Sequence, residues 1–106
     1  MVEEVSPEEL KAEIDAGRPP VMLDVREPWE LDISRLAGIV HIPMGEIPDR
    51  LGELDPAQPV TVICRSGGRS LRVAQFLEQN GFARVSNLTG GMLAWGERID
   101  PSQRPY

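Results

Sequence analysis

The chain has 106 residues, 41% hydrophobic and 26% charged, the make-up of one globular domain rather than of a disordered chain. Eleven basic residues against 17 acidic ones give a net charge of -6, which disfavours a broad nucleic-acid-binding surface. No apolar run is long enough to cross a bilayer, and the start, Met1-Val2-Glu3-Glu4, lacks the basic and apolar stretches of a secretory signal.

Taken in order, Ser6-Pro7-Glu8-Glu9 predicts a helix start, with Ser6 as cap, Pro7 in the first turn and Glu9 completing a capping box. Leu10 and Ile14 share a face, and Gly17 ends the helix. Val21 to Val25 is a continuous apolar run with one polar residue, Asp24, and reads as a buried strand. Glu27-Pro28-Trp29-Glu30 turns into a short helix, Gly38 to Ile42 is a short strand stopped by Pro43, and Met44 to Leu51 is another short helix. Val60 to Ile63 is a second strong strand, with Cys64 directly after it.

Cys64-Arg65-Ser66-Gly67-Gly68-Arg69 then forms a loop, and Ser70 to Gln79 an amphipathic helix burying Val73, Ala74, Phe76 and Leu77. Val85 to Leu88 is a further strand, and Thr89-Gly90-Gly91 turns into a last helix through Trp95, which is expected in the core. The whole chain is one domain, with a core of about 5–98 and a tail, 99–106, expected to be loosely ordered. Strands alternating with helices at this spacing imply an α/β fold, a mostly parallel sheet with helices on both faces. In such sheets ligands bind beyond the carboxyl ends of strands, where Cys64 stands.

The charge is uneven. Residues 1–59 carry -9 and residues 60–106 carry +3, and Cys64 to Arg72 holds three arginines and no acid. A basic stretch in an acidic chain points to an anion site. Cys64 is the only cysteine and His41 the only histidine, so no internal disulfide forms, no ordinary zinc site is available, and a reducing, cytoplasmic setting is expected. The loop after Cys64 can turn several backbone N–H groups inward, and the helix behind it adds a partial positive charge. Arg65 and Arg69 add full ones. Together these favour a thiolate, a nucleophile that needs no separate base. His41 is read as a strand-end residue with a structural hydrogen bond rather than as a base.

Cys64 to Ser70 resembles the active-site loop of rhodanese-type sulfurtransferases. Leu23-Asp24-Val25-Arg26-Glu27 is similar to that family's early signature, and Leu88 to Trp95 to its C-terminal one. The resemblance runs from about Val5 to Trp95. It implies a three-layer rhodanese-like fold, no cofactor and no metal. It also implies a cycle in which Cys64 takes a sulfane sulfur from thiosulfate or a similar donor and hands it to cyanide or a thiol. Carried over, the backbone of Arg65, Ser66, Gly67, Gly68 and Arg69 cradles the sulfur, the two arginines attract the donor, and Asp24 and Arg26 brace the loop from behind. A bland alternative pairs Arg26 with Glu27 or Glu30. Related phosphatases and arsenate reductases use a longer loop, so phosphate or arsenate chemistry is disfavoured. A second reading is a sulfur-relay module that accepts persulfide sulfur from, or donates it to, a partner protein; neither nucleic acid nor membrane is expected as a partner. Ser34 to Ile39 is matched to the family's Gly-His-Ile-Pro-Gly-Ala stretch and lacks its histidine and proline, so a local difference is expected there.

Overall fold

The computed structural model describes all residues, Met1–Tyr106. Five parallel strands form one sheet: β1 (Glu3–Val5), β2 (Val21–Asp24), β3 (Val40–His41), β4 (Val60–Ile63) and β5 (Val85–Leu88), in the order β1-β5-β4-β2-β3. The helices are α1 (Pro7–Asp15), α2 (Pro28–Leu31), α3 (Ile47–Arg50, flanked by 3-10 turns), α4 (Gly68–Gln79) and α5 (Gly91–Arg98).

β4 is the central strand and buried along its whole length, which is why it reads as an unbroken apolar run. Alternate residues feed two cores. Val60, Val62 and Cys64 pack with Val73, Ala74 and Leu77 of α4 and Ile47 of α3. Ile63 points the other way, to Leu10 of α1 and to Met92 and Trp95 of α5. Helices therefore cover both faces, as the three-layer reading requires.

The capping box at α1 forms as expected: Glu9 N–H donates to Ser6 Oγ at 3.1 Å, and Ser6 N–H to Glu9 Oε1 at 3.0 Å. β1 is an element the sequence did not announce. Glu3-Glu4-Val5 has no apolar run, and its strand form comes from pairing with β5 at the sheet edge. α4 begins earlier than Ser70 and takes in Gly68 and Arg69, and Phe76 is only partly buried while Ser70 is fully so. The histidine and proline missing from Ser34–Ile39 stand a few residues later, in His41-Ile42-Pro43, where β3 ends.

Where a loose tail was expected, the segment after α5 folds back across the molecule. Gln103 exchanges hydrogen bonds with the backbone of Arg35, and the Tyr106 carbonyl accepts from Arg26 Nη1 at 3.2 Å. Prolines gave no sign of this, because the contacts are to residues distant in sequence.

The strand order sets the location of any site. The chain leaves β2 outward to β3 and leaves β4 in the opposite direction to β5. The carboxyl ends of β2 and β4 thus flank a topological switch point, the crevice such sheets offer to ligands. Register pairs Asp24 with Ile63, so Val25 and Arg26 lie beside Cys64.

Candidate active site around Cys64

Cys64 follows β4 directly and is 1% exposed. The chain then turns sharply. Gly67 adopts φ +108, a left-handed conformation that glycine takes without strain, and α4 starts immediately after it. This turn directs the Gly67 N–H onto Cys64 Sγ at 3.1 Å. One helical turn into α4, the Ser70 hydroxyl lies 3.3 Å from the same sulfur. Burial pushes the Cys64 thiol up, but the Ser70 hydroxyl and the backbone N–H groups of Ser70, Gly67 and Ser66 outweigh it and leave the thiol below its ordinary range. The inward-facing amides expected from the glycine loop are therefore present, and the hydroxyl of Ser70 is an addition to them.

The rim is formed by exposed Arg65, Ser66 and Gly68. The Arg65 guanidinium stacks on the Tyr106 ring, 4.4 Å from its centroid, and Tyr106 meets half-exposed Trp29 edge to face at 5.0 Å. Arg69 grips Glu30 of α2 with both terminal nitrogens, at 2.7 and 2.8 Å. Glu30 is 3% exposed at its side chain and also accepts from the Glu27 N–H at 2.8 Å. The Arg69 side chain, against the opposing effect of burial, holds the Glu30 carboxyl below the usual range. Of the two loop cations, then, one is already neutralised by a carboxylate, a pairing that no sequence spacing foretold.

Asp24 and Arg26 pair with each other rather than with Glu27 or Glu30. Both are fully buried. Arg26 Nε and Nη2 donate to the Asp24 carboxylate at 2.8–3.1 Å, and Nη1 and Nη2 reach the hydroxyl and carbonyl of Ser34. No hydrogen bond joins either residue to the loop; their reach is to Ser34 and to the tail that carries Tyr106. His41 Nε2 lies 2.7 Å from the Arg26 carbonyl, a structural hydrogen bond at a strand end as expected.

Three contributors escaped sequence reasoning. Ser70 falls within the stretch that resembles the active-site loop, but the sequence gives its hydroxyl no role. Asn87 of β5 lies 2.5 Å from the Ser70 hydroxyl through its Oδ1. Gly91, at φ +58, lets α5 come so close that Met92 and Leu93 N–H groups donate to the Cys64 and Arg65 carbonyls at 2.9 and 3.0 Å. The cysteine loop is thus held from both sides, by α4 behind it and by α5 above its first residues. Only the Gly90-Gly91 pair gave a signal, and it spoke of a turn.

No cleft in the surface is lined by Cys64 or the residues of its loop. No three carboxylate, histidine or cysteine side chains converge as metal ligands. What the arrangement offers is a covered sulfur with hydrogen-bond donors directed at it.

The model of the rhodanese-like domain matches residues 6–98. The chain is 33% identical over 105 residues to a sulfurtransferase of Allochromatium vinosum, covering 99% of this chain and 98% of that one. It is 39% identical over 100 residues to YtwF of Bacillus subtilis, covering 94% and 96%. A rhodanese-like domain protein from Staphylococcus aureus superposes with a TM-score of 0.86 at 30% identity, over 99% of both chains. Some other curated relatives are longer, and the matched stretch spans about half of them or less. The site, the sheet order and these likenesses agree, and the chain belongs to the rhodanese-like domain family.

Proposed function

We propose that this protein transfers a sulfane sulfur through a Cys64 persulfide, from thiosulfate or a similar donor to a thiol or cyanide. The observation that carries the reading is the ring of donors on Cys64 Sγ, from the Gly67 N–H and the Ser70 hydroxyl. In the first step the thiolate attacks the sulfane sulfur, the donor S–S bond breaks, and sulfite leaves with the bonding pair. The charge now on the outer sulfur is held by the inward N–H groups of residues 65–69. In the second step the acceptor attacks that outer sulfur, and Sγ departs as thiolate. Arg65 attracts the anionic donor, and Ser66 lends its backbone N–H. One cysteine in the chain leaves no internal resolving thiol, so an external acceptor completes the cycle, in a reducing compartment such as the cytoplasm.

The test is intact mass after incubation with thiosulfate. Wild type should gain one sulfur and lose it on adding cyanide or dithiothreitol, and Cys64→Ser should gain none. A gain on Cys64→Ser would overturn the assignment of the nucleophile.

A second reading, sulfur relay with a partner protein, is favoured by one feature: no cleft opens over Cys64 to hold a free donor. It is preferred if wild type stays unloaded with thiosulfate yet gains a sulfur from a persulfidated protein donor.

The Glu30–Arg69 pair bears on donor choice. Glu30→Gln keeps a hydrogen-bond partner for Arg69 but removes the balancing charge. The KM for dianionic thiosulfate should fall about 3–10-fold at low ionic strength and return towards wild type in high salt, because such steering is screened. A neutral sulfur donor should show no such change. Equal effects on both donors would mean that Arg69 only shapes the loop.

A further inference from the structure

The Ser70 hydroxyl lies between two acceptors and has one proton to give. On one side is Cys64 Sγ at 3.3 Å, on the other Asn87 Oδ1 at 2.5 Å. The Asn87 amide is locked in this orientation. Its Nδ2 faces both Glu4 carboxylate oxygens at 3.1 and 3.2 Å and the Gly67 carbonyl at 3.2 Å, all of them acceptors. Turning the amide over would set Oδ1 against three oxygens, so Oδ1 stays on Ser70. Both Ser70 and Asn87 are buried, so water does not make up a missing donor.

We infer that Asn87 is a positioning residue that competes with the Cys64 thiolate for the single proton of Ser70. While Cys64 is a thiol, Ser70 donates to Asn87. When Cys64 ionises, the hydroxyl turns to the sulfur and Asn87 Oδ1 loses its donor. Ionisation is therefore harder than the ring of donors alone would make it. Once Sγ carries a second sulfur, the charge moves outward and the Ser70 proton returns to Asn87. Asn87 thus favours the loaded cysteine over the free thiolate. The inference rests on Cys64 being the sulfur-carrying residue, which the mass measurement above tests separately.

Other charged groups face this site. They are Arg65 and Arg69 on the loop and α4, Glu30 on α2, Asp24 at the end of β2 and Arg26 just beyond it, His41 at the end of β3, and Glu4 on β1. Glu4 alone is touched by the changes below, losing its hydrogen-bond partner in Asn87→Leu and its charge in Glu4→Ala; each change is made in both the Ser70 and the Ser70→Ala background, so its field cancels in the comparison.

The experiment is the pH midpoint of iodoacetamide alkylation of Cys64, in Asn87→Leu with Ser70 intact and again in a Ser70→Ala background. With Ser70 present, the midpoint should fall by about one pH unit, the order of one hydrogen bond to a thiolate. In the Ser70→Ala background, where the midpoint is already raised, Asn87→Leu should move it no further. An equal shift in both backgrounds, no shift, or a rise with Ser70 intact would overturn the inference. If Asn87→Leu fails to fold, Glu4→Ala serves instead, since Glu4 is exposed and helps to lock the amide. Losing its charge acts alike in both backgrounds. A larger fall with Ser70 intact supports the competition, and equal falls refute it.

Discussion

Gly91→Ala is expected to destabilise the protein by about 4–6 kcal/mol and to abolish sulfur loading. A Cβ at Gly91 would lie 2.4 Å from the Cys64 carbonyl oxygen and 2.5 Å from that of Arg65, both backbone atoms that cannot rotate away. The left-handed φ of +58 adds strain of about 1 kcal/mol for any other residue. To relieve the clash, α5 must withdraw from the loop. The Met92 and Leu93 hydrogen bonds to Cys64 and Arg65 are then lost, each worth about 1 kcal/mol. Overpacking of this kind adds about 1–3 kcal/mol more. In a domain of this size the melting temperature should drop by about 15–30 °C. Gly52→Ala is the control, because nothing lies within 4 Å of its would-be Cβ and its φ is ordinary; it should stay within about 0.5 kcal/mol of wild type. If Gly91→Ala melts with the control, the close approach of α5 is not what holds the loop.

Arg26→Leu should cost about 3–5 kcal/mol, read as a lower urea midpoint with unchanged slope. Asp24 is fully buried, and without Arg26 its carboxylate keeps only the backbone N–H of residue 26. An uncompensated buried charge is the costliest outcome of breaking such a pair, whereas removing both charges is far milder. Asp24→Leu combined with Arg26→Leu should therefore recover at least about 1–2 kcal/mol of the loss. Recovery will be incomplete, since the Ser34 and Tyr106 carbonyls still lack the donor that Arg26 gave them. If the double variant is less stable than Arg26→Leu, the pair's worth lies in its outer hydrogen bonds rather than in mutual charge compensation. Loss of Arg26 should also release the tail, and with it the Tyr106 ring from Arg65.

Much of the architecture was legible because local pattern and final burial agree. Val60 to Ile63 reads as a buried strand and becomes the central one, and Ser6 to Glu9 reads as a helix cap and forms both of its bonds. Short elements were harder. β1 exists only because β5 offers an edge to Glu3-Glu4-Val5, and no three-residue segment announces a pairing so far along the chain. The tail failed for a related reason: its prolines say nothing of an anchor such as Arg26, which lies just beyond β2 and far away in sequence.

The same division runs through the site. Cys64, its glycine turn and the helix behind it are contiguous, so their chemistry followed from residue order and the geometry of a strand–loop–helix turn. The charge balance at Arg69, the second acceptor on Ser70 and the clamp from Gly91 depend on residues from α2, β5 and α5. By itself the sequence determined the cysteine at a strand end, the glycine turn that follows it and the alternation of strands and helices, because each is set by neighbours along the chain. Only the tertiary structure decided which charges are spent, which proton is shared and what holds the loop in place, because those depend on distances between segments that the strand order alone brings together.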